Sequence, residues 1–373
     1  MIDQKVVYGN EIYKEMDVFF KEHYTKSILV VCGNSISNLE INEYFENLPK
    51  RLKIKVTYFK EFEPNPKYIS VVNGINQYYQ QQCDTIIAVG GGSAIDVAKC
   101  IKLYSGMDKE KNYLEQKIIP NKIPFIAIPT TSGTGSESTS FAVIYYNGEK
   151  QSVSDASCIP ELVCMESKFL KSLPLYQRKV TMLDALCHAI ESFWSVHSTI
   201  ESRELSKQAI KLILENKNSY IKNEDNGNEE MLKASHLAGK AINIAKTTAG
   251  HAMCYKLTSL YGIAHGHAAA LCVTKLWPYM VMNTRKCIDL RGQEYLDKIF
   301  FELSQMMGVN SSIEAARKFQ NIVDELDLKR PVIKNEQDYV MLRKSVNRER
   351  LGNNPVMLTE KIIDSLYHEI MED

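Results

Sequence analysis

Short apolar runs, each closed by glycine or a turn, dominate the first 166 residues of the chain, and beyond them the apolar positions recur at helical spacing. Residues 27–33, Ser-Ile-Leu-Val-Val-Cys-Gly, carry apolar side chains without alternation, as a strand buried on both faces of a parallel sheet does. Residues 54–59, 85–89 and 123–128 repeat this pattern, with a helical stretch at 70–81 between. Strand, helix, strand predicts a doubly wound dinucleotide-binding architecture. Residues 139–146 alternate β-formers, Asn147-Gly148 is a hairpin turn, and Lys150 opens the return strand. From residue 167 the strand signals fade, and amphipathic stretches follow at 175–195, 201–215, 229–245, 264–283, 293–307, 313–326 and 359–371. Polar breaks at 223–228 and 329–331 punctuate them. The expected organisation is therefore a Rossmann-like α/β domain over 1–166 and an all-helical domain over 167–373.

Composition narrows the function more than the fold. A chain of 373 residues exceeds the roughly 250–300 at which single cores stop growing, in keeping with two domains. Lys+Arg and Asp+Glu both number 45, a balance that offers no electrostatic footprint for nucleic acid or an anionic membrane. No basic n-region followed by an apolar core begins the chain, and no apolar run reaches 18 residues, so a cytoplasmic location is expected. The nine cysteines form no Cys-x-x-Cys pair and fit free thiols in a reducing compartment.

Three stretches carry candidate chemistry. In Gly90-Gly-Gly-Ser-Ala-Ile-Asp-Val-Ala-Lys99 a strand feeds three glycines and then a helix, where N–H groups and the helix dipole can receive a pyrophosphate. Pro129-Thr-Thr-Ser-Gly-Thr-Gly-Ser-Glu137 is too polar to build a core and can hydrogen-bond phosphate and ribose. Lys150, on the hairpin, sits close to this presumed cofactor. The third stretch spans 182–265. Asp184 and His188, four apart in a helical segment, leave one helix face together and can share a divalent ion. His251 and His265 would stand about 21 Å apart in one unbroken helix. A break at Tyr261-Gly262 lets them meet on two helices. One Asp and three His without Cys suit Fe(II) or Zn(II) in a site that keeps a position open.

Gly-Gly-Gly-Ser-x-x-Asp-x-x-Lys, Pro-Thr-Thr-Ser-Gly-Thr-Gly-Ser-Glu, and Asp-x-x-x-His followed by two His fourteen apart occur here in one order. Together they resemble the iron-containing, or group III, alcohol dehydrogenase family over nearly the whole chain. The resemblance implies a Rossmann-like N-terminal domain, a helical C-terminal domain of the dehydroquinate synthase-like architecture, and a cleft holding NAD(P) and a divalent metal. Carried over by position, it makes Asp184, His188, His251 and His265 the metal ligands. It assigns Gly91, Gly92, Ser93, Asp96, Thr130, Thr131, Thr134, Lys150 and Leu183 to the cofactor. It also implies a homodimer or larger assembly, and hydride transfer between a nicotinamide and a small aldehyde.

Two positions depart from the family pattern. Tyr255 stands where many members carry a further His, which makes Tyr255 a candidate proton donor beside Lys150. Gly33 replaces the Asp that bonds the ribose 2′-hydroxyl in NAD-preferring members, so Gly33, Asn34 and Ser35 leave room for a 2′-phosphate and NADPH is the expected donor over NADH. Within the family, the segments 189–199, 246–258 and 345–355 are similar to phosphonoacetaldehyde reductases, which turn phosphonoacetaldehyde into 2-hydroxyethylphosphonate. Lys246, Lys256, Arg203 and Arg350 in or beside those segments are candidate partners for a phosphonate dianion. A dehydrogenase of broad, butanol-type specificity and a dehydroquinate synthase-like lyase are the alternatives.

Overall fold

Strands that carry apolar residues on both faces need helices on both sides of their sheet, and the first part of the chain supplies them. The computed structural model describes residues 4–372 and divides into two units, Met1–Leu173 and Pro174–Asp373. In the first unit the strands are β1 (Lys5–Tyr8), β2 (Ser27–Cys32), β3 (Lys55–Phe59), β4 (Thr85–Gly90), β5 (Phe125–Pro129), the hairpin β6 (Phe141–Tyr146) and β7 (Glu149–Ser154), and β8 (Leu162–Met165). The helices are α1 (Glu11–Glu22), α2 (Ile41–Arg51), α3 (Tyr68–Gln80) and α4 (Gly92–Tyr104). Six strands form one parallel sheet in the order β1-β8-β5-β4-β2-β3. Successive residues of β2 and β4 enter opposite cores. Leu29, Val31, Ile86 and Ala88 pack with Val71 and Ile75 of α3 and Val97 and Ile101 of α4. Ile28, Val30, Ile87 and Val89 pack with Ile12 and Met16 of α1 and Phe45 and Leu48 of α2.

This strand order contains the point that binds ligands in open α/β sheets. From β2 the chain crosses outward to β3, and from β4 it crosses the other way to β5, so a crevice opens outside the carboxyl ends of β2 and β4. Cys32 lies opposite Val89 in the ladder, which sets Gly33 beside Gly90. The edge pair β1 and β8 has no counterpart among the predicted strands: four residues each are too few to show a period, and pairing from Lys5↔Leu162 to Tyr8↔Met165 defines them. The expected strand at 123–128 begins later, at Phe125, because Pro124 has no N–H to give a ladder.

The second unit is helical: α5 (Leu175–Trp194), α6 (Ile200–Ile221), α7 (Asp225–Ala245), α8 (Ala249–Tyr261), α9 (His265–Met282), α10 (Gln293–Met306), α11 (Ser312–Glu325), α12 (Gln337–Lys344), α13 (Arg348–Leu351) and α14 (Glu360–Glu372). Helix α5 is its core element, buried continuously from Met182 to Trp194. The polar break expected at 223–228 ends early, since α7 starts at Asp225. Gly227 lies inside that helix because any Cβ there would overlap Ser219 and Tyr220 at the end of α6. Arg178 of α5 is 2% exposed and ties this corner together. It donates to Tyr220 O at 3.1 Å, Asn228 Oδ1 at 2.6 Å and Asn223 Oδ1 at 2.6 Å, with its guanidinium over the Tyr220 ring. Among the described residues no helix is long and apolar enough to cross a membrane.

Candidate active site

In the first unit the glycine turn and the hydroxyl-rich loop are in contact. A Cβ on Gly91 would come within 3.0 Å of Thr131 Oγ1, and one on Gly92 within 2.9 Å of Thr134 Cγ2. Gly90 adopts φ +155°, and a Cβ there would meet Ala94 at 2.7 Å, so the turn into α4 closes only on glycine. Ser93 follows in the first turn of α4, whose N terminus offers N–H groups and a positive dipole end to an anion. Thr130 N donates to Gly90 O at 3.0 Å, fixing the two loops at one level.

Two charged residues of α4 hold that arrangement. Asp96 accepts from Ser136 Oγ at 2.6 Å and from Val143 N at 3.0 Å, with Lys150 among the charges that act on it. Lys99 is wholly buried, and its Nζ donates to Ser136 O, Thr139 O, Thr139 Oγ1 and Phe141 O at 2.5–2.9 Å. Asp96 thus shapes the loop that would meet a cofactor. Lys99, the last residue of the glycine-turn motif, does the same from the interior.

In the second unit, α5 carries Asp184 and His188 on one face, and α8 brings His251 to them. One donor atom from each lies within 4.8 Å of the others, and all three side chains are buried. His251 Nε2 is 3.6 Å and His188 Nε2 is 4.0 Å from Asp184 Oδ1, and the two imidazoles stack at 4.5 Å. Helix α8 ends at Gly262 with φ +69°, and α9 begins at His265. That break places the His265 ring 5.3 Å from the His251 ring, centroid to centroid.

The residues present fit a divalent cation. Asp184 Oδ1 and His251 Nε2 are buried 3.6 Å apart and make no hydrogen bond of ordinary length, a state that a cation between them would relieve. Oxygen and imidazole donors at these separations suit an ion about 2.0–2.2 Å from each. Burial pushes the Asp184 carboxyl up, but His188, His251 and His265 outweigh it and hold the carboxyl below the usual carboxylate range.

Burial also pushes the His251 imidazole down, yet Glu191 and then Asp184 overcome this and raise it to about 9. In the metal-free protein the proton on His251 therefore stabilises the fold fully below about pH 6.5, and that contribution is lost as pH rises through about 9. An entering cation must displace this proton. Zn(II) affinity, measured against a competing chelator, is expected to tighten about tenfold between pH 7 and pH 8. A pH-independent affinity would contradict the assignment of His251.

Around the cluster the structure adds residues to those expected. Glu191, three residues after His188, is wholly buried and its Oε1 lies 2.7 Å from His251 Nδ1. Its signal in the sequence was the seven-residue spacing from Asp184, which repeats the same helix face. Tyr255 stacks on His265 at 5.5 Å and 8°. Arg350 lies with its guanidinium 5.3 Å from the Tyr255 ring centre and also donates to Thr247 Oγ1.

The other candidate residues are placed differently. Lys246 caps α7 at φ 64°, ψ 167°, a conformation almost reserved for glycine, and its exposed Nζ is 3.3 Å from Asn243 O. Lys256 is half-buried on α8. Arg203 is drawn away to Tyr295 of α10, to which it donates and over whose ring it lies. Leu183 is wholly buried on α5.

Comparison with known proteins agrees with this architecture. Residues 3–167 match the iron-containing alcohol dehydrogenase family, and residues 179–371 match the Fe-containing alcohol dehydrogenase family, C-terminal. The aldehyde-alcohol dehydrogenase of Streptococcus pneumoniae is 32% identical over 301 residues, covering 74% of this chain and 34% of that protein. The chain thus spans about a third of the length of that larger relative. The NADPH-dependent butanol dehydrogenase of Clostridium saccharobutylicum is 28% identical over 345 residues, covering 91% of this chain and 85% of that one. The crystal structure of an iron-containing alcohol dehydrogenase from Thermotoga maritima superposes with a TM-score of 0.85 at 25% identity, covering 100% of this chain and 99% of that one. With both units matched in sequence and the whole chain in fold, the protein belongs to the iron-containing alcohol dehydrogenase family.

Proposed function

We propose that the chain reduces a small aldehyde to a primary alcohol with NAD(P)H and a divalent metal, Fe(II) or Zn(II), and that its aldehyde is phosphonoacetaldehyde. The observation that carries the reductase reading is the pair of buried metal-ligand atoms without an ordinary hydrogen bond, Asp184 Oδ1 and His251 Nε2, 3.6 Å apart beside His188 and His265. When bound, the metal would draw electron density from a carbonyl oxygen and the nicotinamide would supply the hydride. Asp184, His188, His251 and His265 are the residues that would hold the metal. Gly91, Gly92, Ser93, Thr130, Thr131 and Thr134 form the cradle for the dinucleotide phosphates, kept in shape by Asp96 and Lys99. Tyr255, stacked on His265, is the group that returns a proton at its phenolic Oη to the alkoxide. The carboxylate-free turn Gly33-Asn34-Ser35, beside Gly90, supports NADPH as the donor.

The phosphonate reading is supported by Arg350, whose guanidinium lies over Tyr255, which in turn stacks on His265. Lys246 and Lys256 flank the same segment, and Arg203 has the weaker claim because Tyr295 engages it. Steady-state rates with phosphonoacetaldehyde, butanal and glycolaldehyde, each with NADPH and NADH, test both choices. Arg350→Met should lower kcat/KM for phosphonoacetaldehyde by about 10- to 100-fold, the loss expected for charge-assisted hydrogen bonds, and leave butanal within about threefold. Equal efficiency across the aldehydes would remove the phosphonate assignment. It would favour the broad butanol-type reading, which the match to a butanol dehydrogenase over 91% of the chain supports. A clear NADH preference would defeat NADPH.

A further inference from the structure

We infer that Glu191 is a positioning residue for the metal: it fixes the tautomer of His251 and holds the first turn of α8, so that His251 Nε2 meets the cation as a ready donor. The inference rests on reading Asp184, His188 and His251 as metal ligands. Helix α5 presents residues 184, 188 and 191 on one face, one turn apart. Asp184 and His188 converge on the cation position, and Glu191, one turn further on, faces α8.

The contacts of Glu191 are those of a clasp. Its carboxylate accepts from Thr248 N at 2.6 Å, Thr248 Oγ1 at 2.8 Å and His251 N at 3.1 Å, besides lying 2.7 Å from His251 Nδ1. Four donors match the four lone-pair sites of an ionised carboxylate. Because that carboxylate can only accept, Nδ1 must carry its hydrogen, so the proton a cation displaces is the one on Nε2, whose lone pair is then free 3.6 Å from Asp184 Oδ1. Gly250 sits between Thr248 and His251, where any Cβ would overlap Glu191 Oε1, so the turn closes on the carboxylate only with glycine there. Trp194 Nε1 donates to Thr248 Oγ1 at 2.9 Å, which commits the threonine hydrogen to Glu191. On the far side, Asn353 Nδ2 donates to Thr247 O at 3.0 Å and Arg350 to Thr247 Oγ1, bracing the loop whose backbone is strained at Lys246. Glu191 also changes the charge balance. With Asp184 it would set two carboxylates against a bound dication, bringing the cluster close to neutral.

A neutral isostere exposes the role. In Glu191→Gln the amide oxygen can serve Thr248 N–H and Oγ1–H only by turning its NH2 group toward His251 Nδ1, which then must accept, and the hydrogen moves to Nε2. The reverse orientation leaves the buried Thr248 N–H facing an NH2 group. The first orientation takes Nε2 from the cation; the second keeps Nδ1–H bonded to the amide oxygen but breaks the clasp on the turn that carries His251.

The test uses the full chain, stripped of metal and titrated with Co(II), whose ligand-field absorption reports coordination. Glu191→Gln should bind Co(II) about 10- to 100-fold more weakly, with an altered spectrum, as loss of a carboxylate behind a metal-bound imidazole does elsewhere. Thr248→Val, which keeps the Glu191–His251 contact, should stay within about threefold of wild type. In the Zn(II)-loaded wild type, histidine 15N resonances should show a slowly exchanging proton on His251 Nδ1. That reading holds even if Glu191→Gln does not fold. Wild-type Co(II) binding by Glu191→Gln, equal losses in Glu191→Gln and Thr248→Val, or no Nδ1 proton in the Zn(II) form would each overturn the proposal. Wild-type protein that binds Co(II) no better than His251→Ala would instead overturn the ligand reading on which it stands.

Discussion

His251→Ala is expected to leave the protein with less than about a tenth of the wild-type metal content and to lower kcat/KM by about 10³- to 10⁴-fold. The metal's stabilisation of carbonyl charge is worth several kcal/mol, and each 1.36 kcal/mol corresponds to a factor of ten. The substitution removes Nε2 from the cluster and at the same time strips Glu191 of the imidazole 2.7 Å from its carboxylate. A buried charge that loses its partner costs about 3–5 kcal/mol, so the variant should also melt earlier than wild type. Elemental analysis, steady-state rates and thermal unfolding read these three consequences separately. Near-normal turnover by this variant, or full activity of wild type after thorough chelation, would show that the cluster does not serve the reaction.

Arg178→Met carries the largest expected effect on stability away from the Asp–His cluster. It keeps most of the aliphatic volume but leaves Tyr220 O, Asn223 Oδ1 and Asn228 Oδ1 without the donors that reach them at 2.6–3.1 Å. Burial already pushes the Arg178 guanidinium below its ordinary pKa, a sign of how thoroughly water is excluded here. Unsatisfied buried acceptors cost about 1–3 kcal/mol each, and the Asn228–Asn223 contact at 3.0 Å softens part of that loss. A net cost of about 3–5 kcal/mol should lower the transition of the helical unit by about 10 °C, since a unit of this size moves by about 2–4 °C per kcal/mol. Calorimetry that finds a shift below about 3 °C would mean that the α6–α7 corner rearranges and supplies other donors.

Features that depend on a few neighbouring residues were legible in the chain. Both-face apolar runs at β2 and β4 declared a parallel sheet, the glycines after β4 declared a close backbone turn, and the four-residue spacing of Asp184 and His188 placed both on one helix face. Gly262 marked the break that separates α8 from α9. These follow from backbone sterics and from the periods of 2 and 3.6 residues, which any stretch of ten or so residues can display.

What remained hidden depends on which helix meets which. Glu191 reads as one more polar helix residue until α8 arrives with Thr248 and His251, 57 and 60 residues later. Arg350 joins Thr247 across 103 residues and also reaches the Tyr255 ring, and among four candidate cations no local pattern singles it out. The short strands β1 and β8 exist because β1 pairs with β8 and β8 in turn with β5, and Gly227 lies within a helix because α6 and α7 pack too closely for a side chain. By itself, then, the amino-acid order determined element types, the glycine turn after β4 and the residue types of the buried Asp–His cluster. Tertiary packing alone decided which carboxylate stands behind which imidazole, because a buried hydrogen bond between distant residues is specified by the shape of the packed helices and leaves no period along the chain.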